Sequence, residues 1–156
     1  MRPPIETTNL ESEEEKANYS NPLLQSVLNT VGEAIITINS EGIIIIANQE
    51  ATKLWGYSHE RLIGKNLRDL MPEKYRDAHT NGMNRYMRDG SARVLNVRIE
   101  LEALHMSGQT FPIEILISES SFNEDRIFTA ALRDISSRKA KQKVLFEAHR
   151  TEALGQ

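Results

Sequence analysis

Leu95, Val97, Ile99, Leu101 and Ala103 alternate with Asn96, Arg98, Glu100 and Glu102 through residues 94–103. A period of two puts the first set on one face of a β-strand and the second on the other. One face is apolar and the other polar, which predicts an antiparallel sheet packed on one side and wet on the other. The constraint extends along the chain. Phe111, Ile113, Ile115 and Ile117 continue the buried face after the turn "HMSGQT", and residues 126–133 form a last strand after "SFNEDR". Upstream, the isoleucine-rich stretches 33–39 and 42–47 flank "SEG", with Gly42 as the turn residue, and predict a β-hairpin.

Helical signals occupy the remainder. Asn21-Pro22 predicts a helix start, with Leu24, Val27 and Leu28 as its apolar stripe. Asn48 is placed to cap a helix whose inner side carries Ala51, Leu54 and Trp55, and Gly56 stops it. Short turns follow at 58–63 and 66–70, punctuated by Gly64 and Pro72. Tyr75, His79, Met83 and Tyr86 then share one side of a helix that ends at Asp89-Gly90. From Ser136 the pattern is helical again, with Ala140, Val144, Ala148 and Leu154 forming a thin seam on a basic helix. So narrow a stripe calls for a partner helix, most simply its own copy in a coiled coil. The fold class is therefore α+β: a five-stranded antiparallel sheet, short helices over one face, an N-terminal flanking helix and a long C-terminal helix.

Composition bounds the function. The chain has 156 residues, a length for one domain with extensions, and a net charge of −3. No global field draws it to nucleic acid or anionic lipid. With no cysteine, disulfides, cysteine zinc sites, iron–sulfur ligation and thiol chemistry are excluded. The longest apolar run, residues 42–47, is too short to span a membrane. The N-terminus lacks the apolar core of a signal peptide. This segment is expected to be cytoplasmic, without membrane contact. Residues 1–20, acidic and with the run Glu13-Glu14-Glu15, are expected to be disordered.

The stretch "GIIIIANQEATKLWGYSHERLIGKNLRDLMPE" resembles the first half of a PAS domain, and "SGQTFPIEILIS" and "FTAALRDISSRK" resemble its last strands and exit signature. The resemblance covers roughly residues 20–139. It implies the PAS fold over residues 21–135, used as a sensory and dimerisation module. The end, "FEAHRTEALGQ", resembles the lead-in to the dimerisation helix of bacterial sensor histidine kinases. Residues 136–156 would then be a helical linker or coiled coil leading to an output domain outside this chain. The sequence has no phosphate loop or Mg²⁺ constellation of its own.

The candidate site centres on His79. Segment "YRDAHTNGMNRY" resembles the helix that carries the iron ligand in haem-binding PAS domains, with His79 at the ligand position. The resemblance implies a pocket bounded by Tyr75, His79 and Met83 on the helix and by Val97, Ile99, Leu101 and Ile115 on the strands. A neutral imidazole on an apolar face suits haem iron. The distal positions, however, align with Val97 and Ile99, while Arg98 points to the wet face. The ordinary assignment for such a histidine is a half-buried side chain bonded to a backbone carbonyl.

The other candidates are weaker. His59, at a helix start, His105, beside a turn, and His149, on the tail helix, have no metal-ligand spacing. Trp55 and Tyr57 have the chemistry to flank a flavin ring, but their ordinary role is to pack a corner, and a light-sensing flavin site needs the cysteine this chain lacks. Asp134 is the transmission candidate: a carboxylate capping the output helix, with Arg133, Arg138 and Lys139 as local cations. The pairs Glu100/Glu102 and Glu124/Asp125 read as solvated charges rather than acid/base pairs. The functional expectation is a non-catalytic sensory module of a histidine kinase, acting as a homodimer through its flanking helices. The competing expectation is a ligand-free interaction domain of a transcriptional regulator.

Overall fold

The computed structural model describes residues 22–90 and 95–154, with side chains as far as residue 150. The expected disorder of residues 1–20 and the capping role of Asn21 lie outside the described residues. The chain runs through α1 (Pro22–Thr30), β1 (Ala34–Asn39), β2 (Ile44–Ala47), α2 (Gln49–Trp55), α3 (His59–Leu62) and a 3₁₀ turn (Leu67–Leu70). It continues through α4 (Glu73–Asp89), β3 (Ile99–Leu104), β4 (Thr110–Phe122), β5 (Asp125–Asp134) and α5 (Ser136–Leu154).

The five strands form one antiparallel sheet in the order β2-β1-β5-β4-β3. The first and last strands of the domain thus meet at the centre, with Ile36 opposite Ala130. Ile36, Ile38, Ile113, Ile115, Phe128 and Leu132 line the packed face, and Ala51, Trp55, Leu62 and Leu70 cover it from the helices. Trp55 is 1% exposed and donates its indole N–H to Leu70 O at 3.3 Å, so its one polar atom is satisfied inside the core.

Local chemistry explains the joints. Asn39 Oδ1 accepts from the N–H groups of Glu41 and Ile43, closing the first hairpin around Gly42. In the second, β4 and β5 run to within two residues of each other, so the turn is tighter than "SFNEDR" predicts. Asn123 and Glu124 both take positive φ, 50° and 69°, the backbone hand that suits a two-residue hairpin.

β3 departs from expectation. It begins at Ile99 because Asn96 sits at φ 60° and donates its N–H to Ile117 O, which breaks the extended run. Val97 lies in the resulting loop, 51% exposed, and Leu101, at the sheet edge opposite Ile113, is 38% exposed. The unbroken apolar face read from residues 94–103 is therefore shortened to Ile99, Leu101 and Ala103, with Leu95 in an isolated bridge to Ile117. The stripe of α1 is also less covered than expected, since Val27 is 56% exposed.

Candidate functional site

The site is built on α4. No side chain of this helix is fully buried, yet Tyr75, His79, Met83 and Tyr86 are all half-buried along the side the 3.6-residue period predicts. Met83 and Tyr86 pack on the core, as does Ile99, which pairs in register with Ile115. Of the other residues expected to line the pocket, Val97 lies in the loop and is exposed, while Leu101 stays on the packed face opposite Ile113, part-covered at the sheet edge.

Both His79 Nδ1 and Thr80 Oγ1 are shielded from solvent and have no protein hydrogen-bond partner. The backbone carbonyl expected to satisfy His79 is not found at Nδ1. Burial holds the imidazole pKa below its ordinary 6.5, and the positive charge of Arg68 pushes in the same direction. His79 is thus a neutral ring with an unused nitrogen, a state that suits coordination or hydrogen bonding to a ligand.

Two polar contacts hold α4 at its ends. Near its start, Lys74 Nζ reaches Glu102 on β3 at 2.9 Å. Near its end, the Tyr86 hydroxyl bonds Glu119 on β4, its ring meets Phe128 edge-on at 5.7 Å, and Arg126 stacks over it.

The exit from the sheet is the second part of the site. Asp134 Oδ1 accepts from the Ser136 N–H at 2.8 Å and from its hydroxyl at 2.5 Å, which fixes the first turn of α5. Ile135 is 2% exposed, and its N–H donates to Pro112 O on β4. The cations expected around Asp134 go elsewhere. Arg133 pairs with Glu33. Arg138 forks between Glu114 at 3.1 Å and Glu100 at 3.0 Å, and Lys139 reaches Glu100 at 2.6 Å. Glu100 and Glu102 are therefore ion-paired, not merely solvated. The signal was present in the sequence as an acidic strand face and a basic helix start, but nothing local joins them.

The remaining candidates fall into place. Trp55 belongs to the core corner. The Tyr57 ring is covered by Lys65 at 4.5 Å and Arg61 at 5.6 Å. His59 and His149 are exposed. His105 Nδ1 accepts from the Ser107 N–H at 3.0 Å. Among the described residues, no group of three or more His, Asp or Glu side chains is placed to hold a metal ion. Nor is any described helix long and apolar enough to cross a membrane.

An antiparallel sheet with its first and last strands paired at the centre, a helical series between β2 and β3, and a long helix leaving the last strand define a sensory-module class of fold. The PAS domain family profile matches residues 32–137, and the chain belongs to that family. It is 31% identical over 124 residues to the sensor protein FixL of Bradyrhizobium diazoefficiens, covering 80% of this chain and 25% of that protein. It is also 31% identical over 114 residues to the oxygen sensor protein DosP of Escherichia coli, covering 73% of this chain and 14% of that one. The crystal structure of a PAS domain from Colwellia psychrerythraea superposes with a TM-score of 0.59 at 21% identity, over 82% of this chain and 98% of that domain. That likeness shows the fold. The chain spans a quarter or less of the length of these curated relatives.

Proposed function

We propose that the chain is the cytoplasmic sensory module of a two-component histidine kinase, and that α5 carries the state of the sheet to the kinase. The observation that carries this reading is the exit from β5. Asp134 and Ile135 fasten the first turn of α5 to the sheet. Farther along, Val144, Leu145 and Phe146 are 64%, 60% and 67% exposed. A helix rooted in a sensor and apolar midway along its length is suited to pair with its copy in a dimer and to shift as the root moves. The module itself performs no chemistry.

The test is a chimera in which this chain replaces the sensory domain of a histidine kinase of known activity. Autophosphorylation should respond to Asp134→Ala. A chimera indifferent to that change and to removal of residues 21–135 would overturn the reading and favour the interaction-domain alternative.

His79 gives the pocket its ligand chemistry. The His79 side suits haem in its chemistry: burial favours the neutral imidazole, Nδ1 has no protein partner, and Met83 lies one turn along the same side of α4. When bound, haem would supply an iron able to take a diatomic gas. Arg98, the nearest strand cation to the expected distal positions, is tied to Glu114 at 3.2 Å and offers that side no donor. Purified protein titrated with hemin should develop a Soret band that His79→Ala loses. Protein that takes up no hemin would leave His79 as a pocket residue only.

A further inference from the structure

We propose that edge strand β3 is the mechanical link between α4 and α5, with Glu102 and Glu100 as its two couplings. The proposal rests on the reading of α5 as the output helix.

Glu100 and Glu102 lie two residues apart and so share one face of β3. They grip different helices. Glu102 holds Lys74 in the first turn of α4 at 2.9 Å, and Glu100 holds Arg138 and Lys139 in the first turn of α5 at 3.0 and 2.6 Å. The two grips are separated by about 7 Å along the strand. Because β3 is an edge strand, it is bonded along one side only, to β4. It is therefore the strand of the sheet's second half with the most freedom to slide or tilt.

The ladder supplies a further reason for the α5 grip. Glu100 stands directly opposite Glu114 in the β3–β4 register. Like charges facing each other across two strands repel. The Arg138 guanidinium lies between them with one nitrogen on each carboxylate, and Arg98 adds a second cation to Glu114. Lys139 first, and Arg138 with it, hold the Glu100 carboxyl below its ordinary pKa, and Arg138 with Arg98 does the same for Glu114. The root of α5 thus neutralises the one place where β3 and β4 would otherwise push apart. Coupling of this kind is reciprocal: what displaces β3 disturbs α5, and what pulls α5 loosens β3. A ligand under α4 that moves the helix moves Lys74, and with it β3 at Glu102 and the helix root at Glu100.

The experiment uses this chain and no kinase, so its outcome is independent of the chimera. Amide hydrogen exchange is followed in the α5 root, Lys139 to Lys143, and in the β1–β5 core. Lys74→Gln does not touch α5, yet it should speed exchange in the root about threefold while the core is unchanged, as a local opening unit would behave. Lys74→Arg should restore the wild-type rate. In a Glu100→Gln background the root is already released, so adding Lys74→Gln should change nothing further. A root unaffected by Lys74→Gln overturns the link. So does an equal effect in the Glu100→Gln background, or a rise shared equally by the core.

Discussion

Asn48 donates its side-chain N–H to the carbonyl oxygen of Leu28 at 3.0 Å, joining the last turn of α1 to the corner where the first hairpin enters α2. The same amide donates to Glu33 O at 2.8 Å, while its oxygen accepts from Ile35 N and Ala51 N. Asn48 is 0% exposed, and its whole donor and acceptor capacity is used. Asn48→Ala strands two N–H groups and two carbonyls and should cost on the order of 3 kcal/mol in a denaturant melt. Asn48→Asp keeps the two acceptor bonds but sets a carboxylate against two carbonyl oxygens. It should free α1, seen as faster amide exchange over Leu24 to Thr30.

Gly56 ends α2 at φ 84°, and a Cβ there would meet His105 Nε2 at 2.6 Å. Gly56→Ala adds left-handed strain to a collision and should lower stability by about 2 kcal/mol. In the Gly56→Ala, His105→Ala double variant the collision is gone and the backbone cost of about 1 kcal/mol remains. The two substitutions should therefore be non-additive in thermal melts.

Stability should fall as the pH drops below 6.5, and His79 is the cause in that range. Its folded pKa lies below the ordinary 6.5, so the unfolded chain takes up the proton first and is favoured. The loss stops once the pH passes the folded value. Glu100 and Glu114 act lower: their depressed values contribute stability fully above 4.5, which is lost as the pH falls through their folded pKa. Tm against pH should lose its upper slope in His79→Leu and keep the lower one.

Asp134→Ala removes two bonds to Ser136 but leaves Ile135 buried. It should cost about 1 kcal/mol, the value of a helix cap, and leave the core melt cooperative. The specific effect should appear as faster exchange at Lys139 to Lys141, whose N–H groups bond back to the first turn. A loss of several kcal/mol would make Asp134 part of the core rather than a coupling residue.

The seam of Ala140, Val144 and Ala148, with Val144 exposed, predicts where α5 meets its copy. Val144→Asp with Ala148→Asp should shift sedimentation toward monomer without altering the melt of the sheet. An unchanged dimer would place the interface elsewhere, such as on α1.

Much of this protein follows from local rules. The hairpin at Asn39–Gly42, the cap at Asn48, the stops at Gly56 and Gly90 and the face carrying Tyr75, His79 and Met83 each depend on residues a few positions apart. Such features are visible in sequence because they are set by backbone geometry and side-chain period. The family motifs extended that to the fold and to Asp134 at the sheet exit. Tertiary structure alone decided the rest. It moved Val97 into a loop, because Asn96 broke the strand, and left Leu101 part-covered on the packed face, because β3 lay at an edge. It left His79 Nδ1 without a backbone partner. It also joined Lys74 to Glu102, and Arg138 to Glu100 and Glu114, across separations no local pattern encodes. A charge on a wet strand face reads as solvated until the fold brings its counter-ion, and only the three-dimensional path of the chain determines which helix supplies it.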